Sequence, residues 1–175
     1  MPVYDRRTQK ATSDMFIQDR FIRSGQNLNI VAERMIKDDK LVKLLTRNGR
    51  DVLTDEVDVS EEERADAMQK NVSVIPILDK DIDVNTMISV QISDIVPMQQ
   101  GLVYNLVFDI VCNVEVWNLD GYIQRPYAIM NELDQLFANT KMKSLGPATF
   151  LGATSLKINE KLLGYTMMFS FAEIQ

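Results

Sequence analysis

The 175-residue sequence contains no histidine. That removes the commonest general base, the commonest metal ligand and every Ser-His or Cys-His nucleophile pair. Cysteine is nearly absent too. Cys112 stands alone, which excludes an internal disulfide and a Cys-based zinc module. Seven glycines and five prolines are too few for a collagen or a low-complexity linker. No apolar run reaches the roughly 18 residues that a membrane helix needs. The first residues, Met1 to Arg7, are polar, so no secretory leader is expected. Together these absences count against most hydrolases, zinc proteins and secreted disulfide scaffolds.

Hydrophobic residues make up 46% and charged residues 25%, which is ordinary globular composition and excludes a wholly disordered chain. A chain of this size hides roughly 70% of its unfolded surface, enough for a single core. The net charge is −6, from 25 acids and 19 bases. Such a chain gains nothing from counterion release on nucleic acid unless a local basic patch overrides the total. A reducing cytoplasm, or a particle assembled there, is the expected compartment.

Residues 1–27 read as an N-terminal arm in which Arg6, Arg7, Lys10, Arg20 and Arg23 outnumber Asp5, Asp14 and Asp19. Met15, Phe16, Ile17, Phe21 and Ile22 are too apolar for a free tail. Thr12 or Ser13 suits the cap of a short helix there. The arm packs either on its own domain or on a neighbouring subunit. Arg6, Arg7, Phe16, Arg20, Phe21 and Arg23 are the candidate subunit-interface residues.

A single domain is expected over 28–175. Helical spacing runs from near Leu28 to Arg47, with a break at Asp38-Asp39 where Asp39 would cap a second piece, and Asn48-Gly49 supplies a left-handed stop. Residues 50–71 form an acidic connection. Asp51, Asp55, Glu56, Asp58, Glu61, Glu62 and Glu63 follow Arg50 with no base between them, and Ser60 with Glu63 makes a capping box for a helix to about Gln69. The period then changes to two. Val72, Val74, Ile75 and Ile77 suggest a strand interrupted by Pro76. Ile88, Val90 and Ile92 mark another. Gly101 to Trp117 gives the longest, with Tyr104, Leu106, Phe108, Ile110, Cys112, Val114 and Val116 on one face. After turn chemistry at 118–121, a helix is predicted from Pro126 to Asn139, then a hairpin of 148–158 and 164–174. Clustered strands indicate α+β: an antiparallel β-sheet packed by two main helices on one face.

No catalytic pattern survives inspection. Asp79, Asp81 and Asp83 begin like a calcium loop, but its sixth and twelfth positions are Val84 and Val90, where glycine and glutamate are required. Phosphate-binding glycine loops and nucleophile elbows are missing. Cys112 reads as a buried thiol, and Met130, Met167 and Met168 as core filling. Asp109 and Glu115 would share a strand face, but about 20 Å apart, too far for one metal. No cofactor, metal or catalytic residue is expected.

The element order resembles a phage family. A helix, a variable loop and a long strand lead to Val114-Glu115-Val116-Trp117-Asn118, followed by Arg125-Pro126-Tyr127 opening a helix. Phe150-Leu151-Gly152 and Leu162-Leu163-Gly164-Tyr165 belong to the closing hairpin. Over residues 28–174 the chain resembles the tail-terminator (tail-completion) and related neck proteins of tailed bacteriophages. The resemblance implies a non-enzymatic structural virion protein at the head–tail junction. Such proteins form a ring, commonly a hexamer, that caps the tail tube and joins it to the head connector. It implies as partners further copies of the chain, the tail tube protein and the portal-associated connector proteins, with DNA passing the lumen unbound and no membrane. A head-side neck adaptor, an adaptor of another assembly and a carboxylate-based metal nuclease are the alternatives. Ring formation needs heterologous contacts, for which an arm or a strand edge serves. The acidic residues 51–63 are candidates for the arm's docking site or for a lumen that repels phosphate.

Overall fold

The computed structural model describes residues 19–75, 84–98, 101–138 and 140–173. Helix α1 spans Arg20–Ile36 and α2 spans Asp39–Thr46. The helical stretch expected from Leu28 thus begins at Arg20 and does break where the two aspartates fall. The capping residue is Asp38 rather than Asp39: its carboxylate accepts from the Leu41 amide at 2.8 Å. Helix α3, Glu61–Asp66, starts at the predicted box, with Ser60 Oγ accepting from the Glu63 amide. A π-helical turn, Ala67–Asn71, extends it. Helix α4 is Arg125–Phe137.

Five strands follow the period-two pattern: β1 Val72–Ser73, β2 Thr86–Met98, β3 Gly101–Asn113, β4 Leu145–Lys157 and β5 Leu162–Glu173. The sheet order is β1-β2-β3-β5-β4. The four long strands pair antiparallel, as expected, while the short β1 runs parallel to β2 and makes the sheet mixed. Because β3 and β4 both oppose β5, they run parallel to each other. Parallel strands need a crossover, and α4 supplies it on one sheet face.

That face is the core. Leu102, Tyr104, Leu106, Phe108, Ile110 and Cys112 of β3 are all buried. Helix α4 lies over β3, β4 and β5, and α1 and α2 lie over β2. Phe108, Phe137, Phe169 and Phe171 form the centre, with Phe108 5.6 Å from both Phe137 and Phe169, ring centre to ring centre. Such tilted and edge-on pairs match the ring quadrupoles. At Gly164 the backbone of β5 comes so close to β3 that a Cβ would stand 1.8 Å from the Ile110 carbonyl oxygen.

Three expectations are corrected here. Strand β3 ends at Asn113, not Trp117, because Asn113 caps a 3-10 turn over Val114–Val116. Val114 is consequently exposed and Glu115 lies off the strand. Met168 pairs opposite Val107 on the sheet's other face, whereas Met167 is in the core. Only Val72 and Ser73 form the strand expected around Pro76; Pro76, Ile77, Asp79, Asp81 and Asp83 lie outside the described residues.

Candidate functional site

Arg125 is the largest fully buried side chain among the described residues, and it fastens the surface loops to the core. Its Nε donates to the Val116 carbonyl at 2.8 Å. Nη1 donates to the carbonyls of Leu44 and Arg47 at 2.7 and 2.8 Å, and Nη2 to that of Gly49 at 3.0 Å. Two of these acceptors are orphan carbonyls at the end of α2. A glycine stop was expected at Gly49, but α2 ends through this guanidinium instead, and Gly49 is not among the positive-φ glycines. Desolvation lowers the Arg125 pKa, and the neighbouring Cys112 opposes that shift. Burial pushes the Cys112 thiol up to about 12.

One step outward, Arg47 clasps the acidic connection. It donates to Glu63 from Nε and Nη2 at 2.8 Å each and to Asp55 at 2.6 Å, and it reaches the carbonyls of Val57 and Asp58. The forked, bidentate geometry suits guanidinium and carboxylate. The hydrogen bond to Glu63, more than any other contact, raises the Arg47 pKa. Glu63 is held below the usual carboxylate range chiefly by Arg47, and Asp55 by the Val57 amide and then Arg47. The acidic run is therefore partly structural. Asp55 and Glu63 turn inward to Arg47, while Glu56, Asp58, Glu61 and Glu62 remain exposed.

The Arg125 anchor also sets the pose of the loop before α4. An Asn118–Gln124 bridge and the Leu119 amide bonded to the Ile123 carbonyl close it, with Leu119 buried beneath. Gly121 and Tyr122 both have positive φ, +75° and +62°. That turn throws Tyr122 fully into solvent, beside exposed Ile123, over a pocket of about 690 Å³ lined by Arg50, Asp120 and Gln124. Tyrosines so placed are frequent anchors of protein contacts.

The sequence matches the YomW family over residues 38–171. The chain belongs to the YomW family. Its namesake is a protein of a Bacillus phage region, which makes this a phage-related chain. No curated protein and no solved structure matches it. The YomW match opens at the Asp38 cap and includes Arg47, Arg125, the Tyr122 loop and all but the last two residues of β5.

The features that sequence reading singled out in this YomW chain are dispersed. Arg6, Arg7 and Phe16 lie outside the described residues. Arg20 is the first residue of α1. Phe21 is 70% exposed on the same turn. Arg23 pairs with buried Glu173 of its own chain at 3.3 Å, tying α1 to the end of β5. Sequence reading missed Arg47 as a hub and Arg125 as an anchor; it placed Trp117 and Tyr122 at a turn as core caps or contact anchors, and the structure leaves Tyr122 out of the core. A signal existed for Arg125, since a cation opening a helix opposes the helix dipole and implies a use elsewhere. Among the described residues no helix is long and apolar enough to cross a membrane.

Proposed function

We propose that this chain is a non-catalytic structural protein of a tailed phage virion that assembles with copies of itself into a ring at the head–tail junction, capping the tail tube and meeting the head connector. The YomW match supports the phage setting. The observation that carries the assembly reading is the pair of sheet edges. Among the described residues, strand β4 has no outer neighbour, and β2 has none beyond Ser89. Strands β2 and β4 run in opposite directions, so the β4 of one copy beside the β2 of the next continues an antiparallel sheet. The contact joins two different patches, which is the kind that closes rings.

Both edges are blunted in part. Pro147 and register shifts at 145/148 and 150/152 interrupt β4, leaving 152–157 regular. Pro97 and a shift at 92/94 interrupt β2. Such devices restrict pairing to a short window and oppose unlimited stacking. Exposed Phe150 and Leu151 supply apolar area beside that window.

Light scattering over a concentration series, with and without purified tail tubes, tests the reading. A ring of about six copies, or ring formation at tube ends only, is the expected result. A 20.0 kDa monomer that also ignores tube ends overturns it. Binding to head connectors but not to tubes would reassign the chain as a neck adaptor.

A further inference from the structure

On this acidic chain one concave site is basic. Arg34 in the last turn of α1, Lys37 just past its end, and Lys141 and Lys143 of the connection into β4 line a pocket of about 170 Å³, with Glu33 as its single acid and Ile30 and Met142 in its wall. None of the four cations has an ion pair among the described residues. Arg34 Nε is buried without a hydrogen-bond partner among the described residues. Concentrated like charge around a cavity this small attracts an anion rather than a neutral ligand.

We propose that this pocket receives the acidic connection of a second copy of the chain, through the exposed carboxylates of Glu56 and Asp58. The proposal rests on the self-assembly reading above and names a contact for it. Arg47 uses up Asp55 and Glu63, but Glu56 and Asp58 project outward with no ion pair among the described residues. Each copy thus carries a basic concavity and an acidic projection that have no ion pair among the described residues. Two different complementary patches on one chain make a heterologous contact. A nucleic acid is the less suitable occupant. Its phosphates would meet a short, discrete pocket rather than a stripe, on a chain of net charge −6.

Charge reversal tests the pairing on the full chain. One variant carries Lys141→Glu and Lys143→Glu; the other carries Glu56→Lys and Asp58→Lys. All four positions are exposed, and melting curves report whether the folds persist. Each variant alone should raise the dissociation constant for self-association by at least about tenfold, because its two patches now repel. A one-to-one mixture should recover wild-type association, since alternating copies match at every contact. Variants that associate like an assembling wild type overturn the pocket contact and leave the ring reading intact. Wild type that stays monomeric, alone and with tubes, overturns the ring reading and the contact together. Loss of duplex DNA retention in the Lys141→Glu, Lys143→Glu variant, with self-association unchanged, replaces the carboxylate occupant with phosphate. A second measurement needs no variant. Carbodiimide treatment of mixed light and isotope-labelled wild-type chains should join Lys141 or Lys143 of one copy to Glu56 or Asp58 of another. Absence of that cross-link in the associated protein also overturns the proposal.

Discussion

Arg125 carries a charge into the core, and every hydrogen bond it makes there goes to a backbone carbonyl. Truncation to methionine would leave those acceptors buried and open. The expected loss is roughly 3–5 kcal/mol in urea denaturation, from orphaned carbonyls more than from lost apolar area. Arg125→Lys should recover only a minor part, because an ammonium cannot span four acceptors in one plane. Full stability in the lysine variant would refute the fork argument. The neighbouring Cys112 gives a second residue-scale prediction. Its thiol sits fully buried with its pKa at about 12. At pH 8 an aromatic disulfide reagent should leave the native thiol unmodified over the time that urea-unfolded chain reacts completely. Fast labelling of native protein would mean that the β3 end opens locally. The inert thiol was legible from its place on an apolar face. The four-carbonyl cage was not, because its acceptors come from residues 44 to 49 and 116, which only the fold brings together.

At the scale of elements, the acidic connection is held by Arg47, and that hold depends on pH. Asp55 and Glu63 titrate lower in the folded chain than their ordinary values of 3.8 and 4.5. A carboxylate depressed in this way adds stability that is complete above its unfolded pKa and disappears as pH falls through its folded one. Wild-type stability should therefore decline below about pH 5 and keep falling toward pH 2–3. Arg47→Gln should be less stable at pH 7 and show a flatter decline over that range. An unchanged slope in a urea series from pH 7 to pH 3 would mean that the clasp contributes nothing. Glycines in two elements separate in the same way. Gly25 lies within α1, where a Cβ would meet no atom within 4 Å, so Gly25→Ala should raise stability by about 0.5–1 kcal/mol. Gly164→Ala must push β5 off the Ile110 carbonyl and should prevent native folding or lower the melting temperature sharply. Periodicity predicted every long element here, because one-sided burial imposes it. It overran the end of β3, since Val114 and Val116 continue the alternation while Asn113 turns the backbone. It also placed a glycine stop where an arginine from 78 residues away holds the helix end.

At the scale of the whole molecule, the helices among the described residues cover one face of the sheet, and β4 and most of β2 have no outer strand neighbour among them. The face opposite the helices is polar at its centre and buried at one end. Asp109 accepts from Thr166 at 2.6 Å and from Gln91 at 3.4 Å, a polar row across three strands, while Met87, Val111 and Leu162 are buried at one end beneath Val84, Leu156 and Ile158. The strand pattern allowed this mixed face to be read in advance. The sheet order was not readable, because β5 inserts between β3 and β4, and sequence adjacency cannot signal that. The insertion of β5 puts β4 at the end of the sheet order. If β4 pairs with a neighbouring copy, charge placed along it should block assembly without touching the core. Leu151 and Thr154 are both exposed on β4. Leu151→Lys with Thr154→Lys should leave the melting temperature within about 2 °C of wild type, since surface changes of this kind shift stability by only about 0.5 kcal/mol. The same pair should abolish ring formation at concentrations where wild type assembles, because lysine on an edge is how sheets avoid pairing. Lysines on the open face, at Val103 and Ser170, provide the control: they share the sheet but not the edge. Loss of assembly in both variants would move the contact from the strand edge to the sheet face, and loss in neither would leave the basic pocket and the Tyr122 loop to hold the copies together.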